Sequence, residues 1–470
     1  MNNIVGHYLM PHPPIIIPDI GKGEEGKIAD TANSCNAIGK EISDLKPDTI
    51  ILITPHGAMF SDAVAISHED SIRGDFRQFR AINVKMDIPL DTQFNERLNL
   101  NCLSAYLPCA LVDSKLLARY NHEFTLDHGA MVPLYFVNKY YTDYKLVHIT
   151  YSMIGDINLY KIGMEIRKTA EELNRKCVII ASGDLSHKLK EEGPYSYSPY
   201  GPQFDKCILN DLKNGDVLSV FNMDNKMVNE AGQCGLNSIY VMLGTLNGKK
   251  VKGEQLSYEG PFGVGYGVMK LSNTEESSNV LDEVVNAKEQ KYNKKLSCKN
   301  PYTKLARKNL IHYFKHGTPI SDLSDIDDEL LNSRHGVFVS LKKFGALRGC
   351  IGTILPATDS IALEIINNSI SAALNDPRFP AVTEDELYDI DISVDVLTDP
   401  VKADKSELDP KKYGVIVSKG YKRGLLLPDL EGVDTVDEQL HIACDKGEID
   451  YFSDDYDIEK FEVVRYTEND

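Results

Sequence analysis

The sequence predicts an α/β N-terminal domain, its mostly parallel central sheet flanked by helices, followed by an α+β C-terminal domain. Three observations predict this. Short, almost unbroken β-branched runs such as Thr49–Thr54 read as strands buried on both faces, as in a parallel sheet between helical layers. Strand-length and helix-length patterns alternate through the first half, whereas strands dominate the second. At 470 residues the chain exceeds what one core usually organises, so two domains are expected.

Composition excludes several classes. A net charge of −19 argues against a general nucleic-acid binder, which needs a basic footprint. The longest apolar runs are strand-length, so no membrane span is expected. The first ten residues lack the basic and apolar pattern of a secretory signal. Nine cysteines, an odd count with no C-x-x-C spacing, fit a reducing compartment better than a disulfide framework. A cytoplasmic protein without nucleic-acid or membrane partners is the expectation.

Ile4–Met10 is the first strand, and it ends in Pro11-His12-Pro13-Pro14. Residues 23–45 have helical spacing, with Ile28, Ala32, Ile38 and Ile42 apolar and Pro47 closing the pattern. Thr49–Thr54 follows and stops at Pro55-His56-Gly57. Strand, helix, strand is a βαβ unit, which places His12 and His56 at the same end of neighbouring parallel strands. Open α/β sheets bind ligands at that end. Residues 61–115 alternate short strands with a helix around 95–100, and Asp127-His128-Gly129 precedes an apolar segment opening at Met131. Residues 145–152 form a strand, 159–174 an amphipathic helix, and Cys177–Ser182 a buried strand ending in Gly183-Asp184-Leu185-Ser186-His187. A polar loop over 191–203 leads to a helix at 204–214, and residues 229–235 open an apolar helix through Leu246. The glycines of 260–267 precede a strand at 268–271 and open no helix, so they do not read as a dinucleotide site.

The chain turns polar and charged over 273–299, read as a linker between domains at 1–272 and 300–470. Beyond it come a helix at 302–314, strands at 336–341 and 347–351, and a helix at Ile361–Leu374. A turn at Asp376-Pro-Arg-Phe-Pro380 precedes strands Ile390–Leu397, 413–418 and 423–427, a helix at 436–444 and a strand at 461–466.

Four histidines of the first domain stand beside turn residues: His12, His56, His128 and His187. Asp127 adjoins His128, and Asp184 lies three positions before His187. Imidazole ligands and bases need a partner on the second ring nitrogen, so such acids fit a shared site. A non-haem iron site takes two histidines and one anionic ligand, leaving positions open opposite. Glu230 and Cys234 are the candidates for that third ligand. His7, His68, His122 and His148 lack the setting and read as structural or surface residues.

These stretches carry a resemblance. Met10-Pro-His-Pro-Pro14, Thr54-Pro-His-Gly57, Asp127-His-Gly-Ala130, Ser182-Gly-Asp-Leu-Ser-His187 and Cys234-Gly235 resemble, in order over about residues 1–271, the Memo family. That family is related to the class III extradiol dioxygenases. The resemblance implies a metal-dependent oxidoreductase in which His12 and His56 hold Fe(II) or another transition metal. His187, beside Asp184, would be the acid/base residue, and His128 would orient substrate or oxygen. The dioxygenases use glutamate as third ligand; the Memo branch places a cysteine there, here Cys234, with Glu230 the alternative. Thiolate is softer than carboxylate and favours other metals.

Residues 300–470 resemble the AMMECR family through Leu347-Arg-Gly-Cys-Ile-Gly352, with Asp376-Pro-Arg-Phe-Pro380, Ile392-Ser-Val-Asp-Val-Leu397 and Gly424-Leu-Leu-Leu-Pro428 in support. Arg348 can fork onto a carboxylate or phosphate, and Cys350 is a candidate nucleophile. In prokaryotes the two families accompany a radical-SAM protein, the AmmeMemoRadiSam grouping. The resemblance therefore implies that component as a partner, with a small-molecule or protein substrate. The chain has no Cys-x3-Cys-x2-Cys motif, so it is not itself the radical-SAM member.

Overall fold

The structure, a computed structural model, describes residues 3–343, 346–430, 432–453 and 455–468. It divides into two units, Met1–Ala287 and Lys288–Asp470.

In the first unit the strands are β1 (Ile4–Met10), β2 (Thr49–Thr54), β3 (Val64–Ser67), β4 (Ser71–Phe76), β5 (Ala81–Pro89), β6 (Cys109–Val112), β7 (Lys145–Thr150), β8 (Cys177–Ser182), β9 (Lys249–Glu259) and β10 (Tyr266–Glu276). Eight of them form one sheet in the order β6-β3-β7-β2-β8-β1-β10-β9, while β4 and β5 pair as a separate hairpin. The sheet is mixed, with a parallel centre: β7, β2, β8 and β1 run the same way. All six residues of β2 and all six of β8 are buried, as unbroken apolar runs require when helices cover both faces.

One face of the sheet packs Ile51, Ile53, Ile149 and Ile179 against the helices Thr92–Ser104, Asp156–Glu172 and Leu236–Gly244. The other packs Ile50, Leu52, Leu146 and Ile180 against Ala29–Leu45 and His128–Asn138. Period-two alternation within each strand thus feeds two cores at once.

Two sequence expectations need correction. β1 and β2 are parallel, but they are not neighbours, because β8 lies between them and pairs with both. Chain order alone does not reveal a strand inserted from 120 residues downstream, so the simple βαβ reading brought His12 and His56 one strand too close. Residues 229–246 are also not one helix. Asn225–Ala231 ends at Gly232, whose φ of 62° is left-handed, and a new helix starts at Leu236. The stretch read as a linker carries the end of β10 and a helix, Val280–Leu296.

The second unit is α+β. Its strands β11 (Val337–Lys343), β12 (Ala346–Gly352), β13 (Ile390–Leu397), β14 (Val401–Lys402), β15 (Tyr413–Lys419), β16 (Lys422–Leu426) and β17 (Asp457–Thr467) pair antiparallel in the order β12-β11-β13-β17-β15-β16, with β14 on β17. Helices Pro301–His316 and Ile361–Leu374 cover one face over Val339, Leu341, Ile392 and Val394.

Candidate metal centre

The carboxyl ends of the parallel strands deliver the first unit's polar residues to one place. β1 delivers His12, buried at 2% exposure. β2 delivers His56, which is open to solvent. Their Nε2 atoms lie 3.0 Å apart, bridging the width of β8 between them. His128, the first residue of the His128–Asn138 helix, stacks on His56 with ring centroids 4.2 Å apart. Ligand atoms of His12, His56 and His128 all lie within 4.8 Å of one another. Cys234, in the turn between two helices, brings its Sγ to 3.6 Å from His12 Nε2.

Backbone geometry makes that turn possible. A Cβ on Gly183 would lie 2.1 Å from the Gly235 Cα, so glycine here lets the loop after β8 touch the turn bearing Cys234. The Tyr151 hydroxyl donates to the Cys234 carbonyl at 2.9 Å and fixes the turn from the other side.

A chain of hydrogen bonds sets the His12 tautomer. The Ser182 hydroxyl donates its one hydrogen to the Gly129 carbonyl at 2.5 Å. It therefore accepts from His12 Nδ1 at 2.9 Å, which leaves the Nε2 lone pair aimed into the site. Burial lowers the pKa of His12 and His187 and takes His128 down to about 4, and at solvent-open His56 the desolvation of the packed cluster and the neighbouring His128 also lower it, so the neutral form is favoured in each ring. Neutral imidazole is the ligating form.

The acids are used differently from the sequence reading. Asp127 does not partner the His128 ring. It caps the helix through the Ala130 amide and accepts from Thr54 Oγ1 at 2.6 Å, and His148 Nε2 lies 3.0 Å from its other oxygen. Burial alone would raise Asp127, but the bonds and charge of His148, with Thr54 and His128, hold it below the usual carboxylate range. The buried His148 is in turn bonded to Ser67, so it props this network from beneath the site. Asp184 accepts from the His12 amide at 2.8 Å, and its second oxygen stands 3.9 Å from His12 Nε2. Burial pushes Asp184 up to about 6, against the pull of that amide and of His187 and His56. His187 stacks on Tyr195, within electrostatic reach of Asp184 and His56.

Glu230 is exposed and lies 3.9 Å from Lys188, near the end of the helix Asn225–Ala231 that runs into the Cys234 turn. Burial pushes the Cys234 thiol up and the Asp184 charge adds to it, while the amides of Asp184 and Cys234 pull the other way. In the second unit the Arg348 fork is engaged by Glu386, and its remaining contacts are the Pro380 and Ala381 carbonyls. Cys350 lies on the edge strand β12, partly exposed.

The donor set suits a transition-metal ion. His12 and His56 would hold such an ion between their Nε2 atoms, 3.0 Å apart, with the Cys234 Sγ 3.6 Å from His12 Nε2. A cleft of about 1090 Å³ opens from His56 and His128, walled by the β4–β5 hairpin with Arg73, Arg77 and Lys85 beside Asp75 and Asp87. Phe79, in the hairpin turn, meets the His128 ring edge to face, with centroids 5.6 Å apart.

Residues 6–269 match the family described as the catalytic LigB subunit of aromatic ring-opening dioxygenase. The chain belongs to the LigB family. Residues 303–469 match AMMECR1, so the LigB-family unit is fused to an AMMECR1 domain. A Clostridium acetobutylicum protein is 53% identical over 465 residues, covering 99% of both chains. A Thermotoga maritima protein is 53% identical over 169 residues, 36% of this chain and 97% of that one. A crystal structure of an uncharacterized Pyrococcus horikoshii protein is 32% identical, covers 34% of this chain and 87% of that chain, and has a TM-score of 0.32. The histidine cluster of the LigB-family unit lies wholly within the matched residues, and no helix among the described residues is long and apolar enough to cross a membrane.

Proposed function

We propose that the LigB-family unit is a metal-dependent oxidoreductase, with His12, His56 and Cys234 holding Fe(II) or a related ion. The observation that carries this reading is the gathering of the His12, His56 and His128 ligand atoms within 4.8 Å of one another, with the Cys234 thiol 3.6 Å from His12 Nε2. When bound, the ion supplies Lewis acidity and one-electron chemistry on the side facing the cleft.

The chain's own residues supply the rest. His12 is locked by Ser182 in the tautomer that presents Nε2. His128, stacked over His56, orients what enters from the cleft. His187, neutral and beside Asp184, takes a proton from a substrate hydroxyl and returns it later in the cycle. Binding a thiolate ligand requires Cys234 to lose its proton, so metal uptake strengthens as pH rises.

The test is the metal content of the full chain purified without oxygen. About one ion per chain is expected in wild type and in Glu230→Ala, with loss in His56→Ala and Cys234→Ala. Metal-free wild type, or full retention in both ligand variants, overturns the assignment. Oxygen uptake unchanged in His56→Ala would sink the oxidoreductase role even if metal binds.

The cleft favours a second reading. It is wide and lined by paired charges, with Phe124 its one aromatic wall among the described residues, which suits a polar protein segment better than a bare aromatic ring. On this reading the protein is a metal-binding modification component acting with a radical-SAM partner. Turnover that appears only when that partner is added would decide for it.

A further inference from the structure

The second unit carries a group of residues that the metal centre does not use. β11, β12 and β13 place Cys350, Ser340 and Ser393 side by side, since Ser340 is in register with Cys350 on one side and Ser393 on the other. These residues face away from the helical core. A Cβ on Gly349 would lie 2.1 Å from the Ala372 carbonyl oxygen in the Ile361–Leu374 helix, so the next residue, Cys350, projects from the opposite face. Val339 and Leu341, flanking Ser340, point into the core.

This second face is polar and built. The Ser340 hydroxyl donates to Cys350 Sγ at 3.1 Å. On the outer edge of β12 the Cys350 amide donates to Asp376, and Arg378 donates to the Cys350 carbonyl. Arg378 also forks onto Asp376, and across the sheet Arg465 forks onto Asp395. Both acids are buried, their side chains 2% and 3% exposed, while the arginine side chains are 54% and 57% exposed. Each acid is therefore spent inward, and the outer edge of each guanidinium faces solvent. Both guanidiniums lie within electrostatic reach of Cys350, and Asp429 lies within reach of Arg465. Burying two carboxylates is costly unless they hold something in place. What they hold is a pair of arginines on either side of a partly exposed thiol.

We infer that Cys350 is the nucleophile of a second site, which receives an electrophile carrying a carboxylate or phosphate group held by Arg378 and Arg465. In the step, a sulfur lone pair forms a bond to the electrophilic carbon. The bond from that carbon to its leaving group breaks and takes its electrons with it, and the thiol proton passes to solvent. Ser340 steadies the sulfur during attack.

Charge-matched alkylating reagents test this in the full chain. Iodoacetate and iodoacetamide both transfer a CH2 carbon to sulfur and release iodide, and only the first carries an anion. The rate at Cys350 is read by peptide mass spectrometry, with glutathione as the free-thiol reference. Relative to glutathione, the iodoacetate-to-iodoacetamide ratio at Cys350 is expected to be raised about tenfold. Arg378→Gln and Arg465→Gln should each lower it, Asp429→Asn should raise it, and inorganic phosphate should slow carboxymethylation of wild type. A wild-type ratio equal to that of glutathione overturns the proposal, as does a Cys350 that reacts only after denaturation. Both results come from wild type alone, so a variant that fails to fold does not rescue the idea.

Discussion

Asp184 shows what one buried side chain costs in order to stand in the site. Its folded pKa of about 6 lies above the ordinary carboxylate value. A raised value means the folded state is favoured fully only below the unfolded pKa, and that advantage is lost as pH climbs from about 4 to about 6. Above that range the buried charge costs about 2–3 kcal/mol. Asp184→Asn keeps an acceptor for the His12 amide and removes the charge. In chelator-treated protein the variant should melt higher than wild type at pH 7.5, with the gap closing by pH 4. An equal gap at both pH values would mean that desolvation is not what strains this residue. At this scale the histidines were legible, because each stands beside a turn at a strand or helix end. Their partners were legible only in part: helix capping turned Asp127 from His128 to the Ala130 amide and His148, whereas Asp184 stays within reach of His187 and also accepts from the His12 amide. One signal was available: the parallel strands β2, β7 and β8 each end in a buried hydroxyl, at Thr54, Thr150 and Ser182. Hydroxyls closing otherwise apolar strands at one edge mark where polar partners are needed.

Elements place the candidate ligands through backbone contact, and the Gly183–Gly235 approach is the one that seats the Cys234 turn. A methyl on Gly183 meets backbone, so no side-chain rotation can relieve it. Gly183→Ala should push the Cys234 turn away and weaken metal binding by about 10- to 100-fold, the usual range for groups that orient ligands. Gly26→Ala, where nothing lies within 4 Å of the added carbon, should leave binding unchanged and serves as the control. Wild-type affinity in Gly183→Ala would show that the turn does not position Cys234. The strands themselves were readable, since β2 and β8 have the bounds that their apolar runs suggested. β9 escaped notice, because it is charged and largely solvent-facing, with only Val251 and Gly253 buried. The break at Gly232 escaped too, since a left-handed glycine between two helical patterns leaves the periodicity intact.

Across the whole molecule, the alternating first half and strand-rich second half foretold two architectures on one chain. Strand order was beyond reach, because which strand enters the gap between β1 and β2 is settled by packing over long chain separations. That separation has a kinetic meaning. His12 and Cys234 stand 222 positions apart and meet only when β8 has docked between β1 and β2 and the Gly183 loop has closed on its partner turn. The proposed ion's anchor points therefore come together late in folding, after the loop-closure entropy has been met by other contacts. Saturating metal should slow unfolding of the first unit and leave its refolding rate nearly unchanged, as for any interaction missing from the transition state. Stopped-flow chevrons with and without metal separate the two limbs; acceleration of the refolding limb would place the ligands together early. On this account the ion acts as a latch on a finished fold, setting how long the assembled state lasts and not how quickly it is reached.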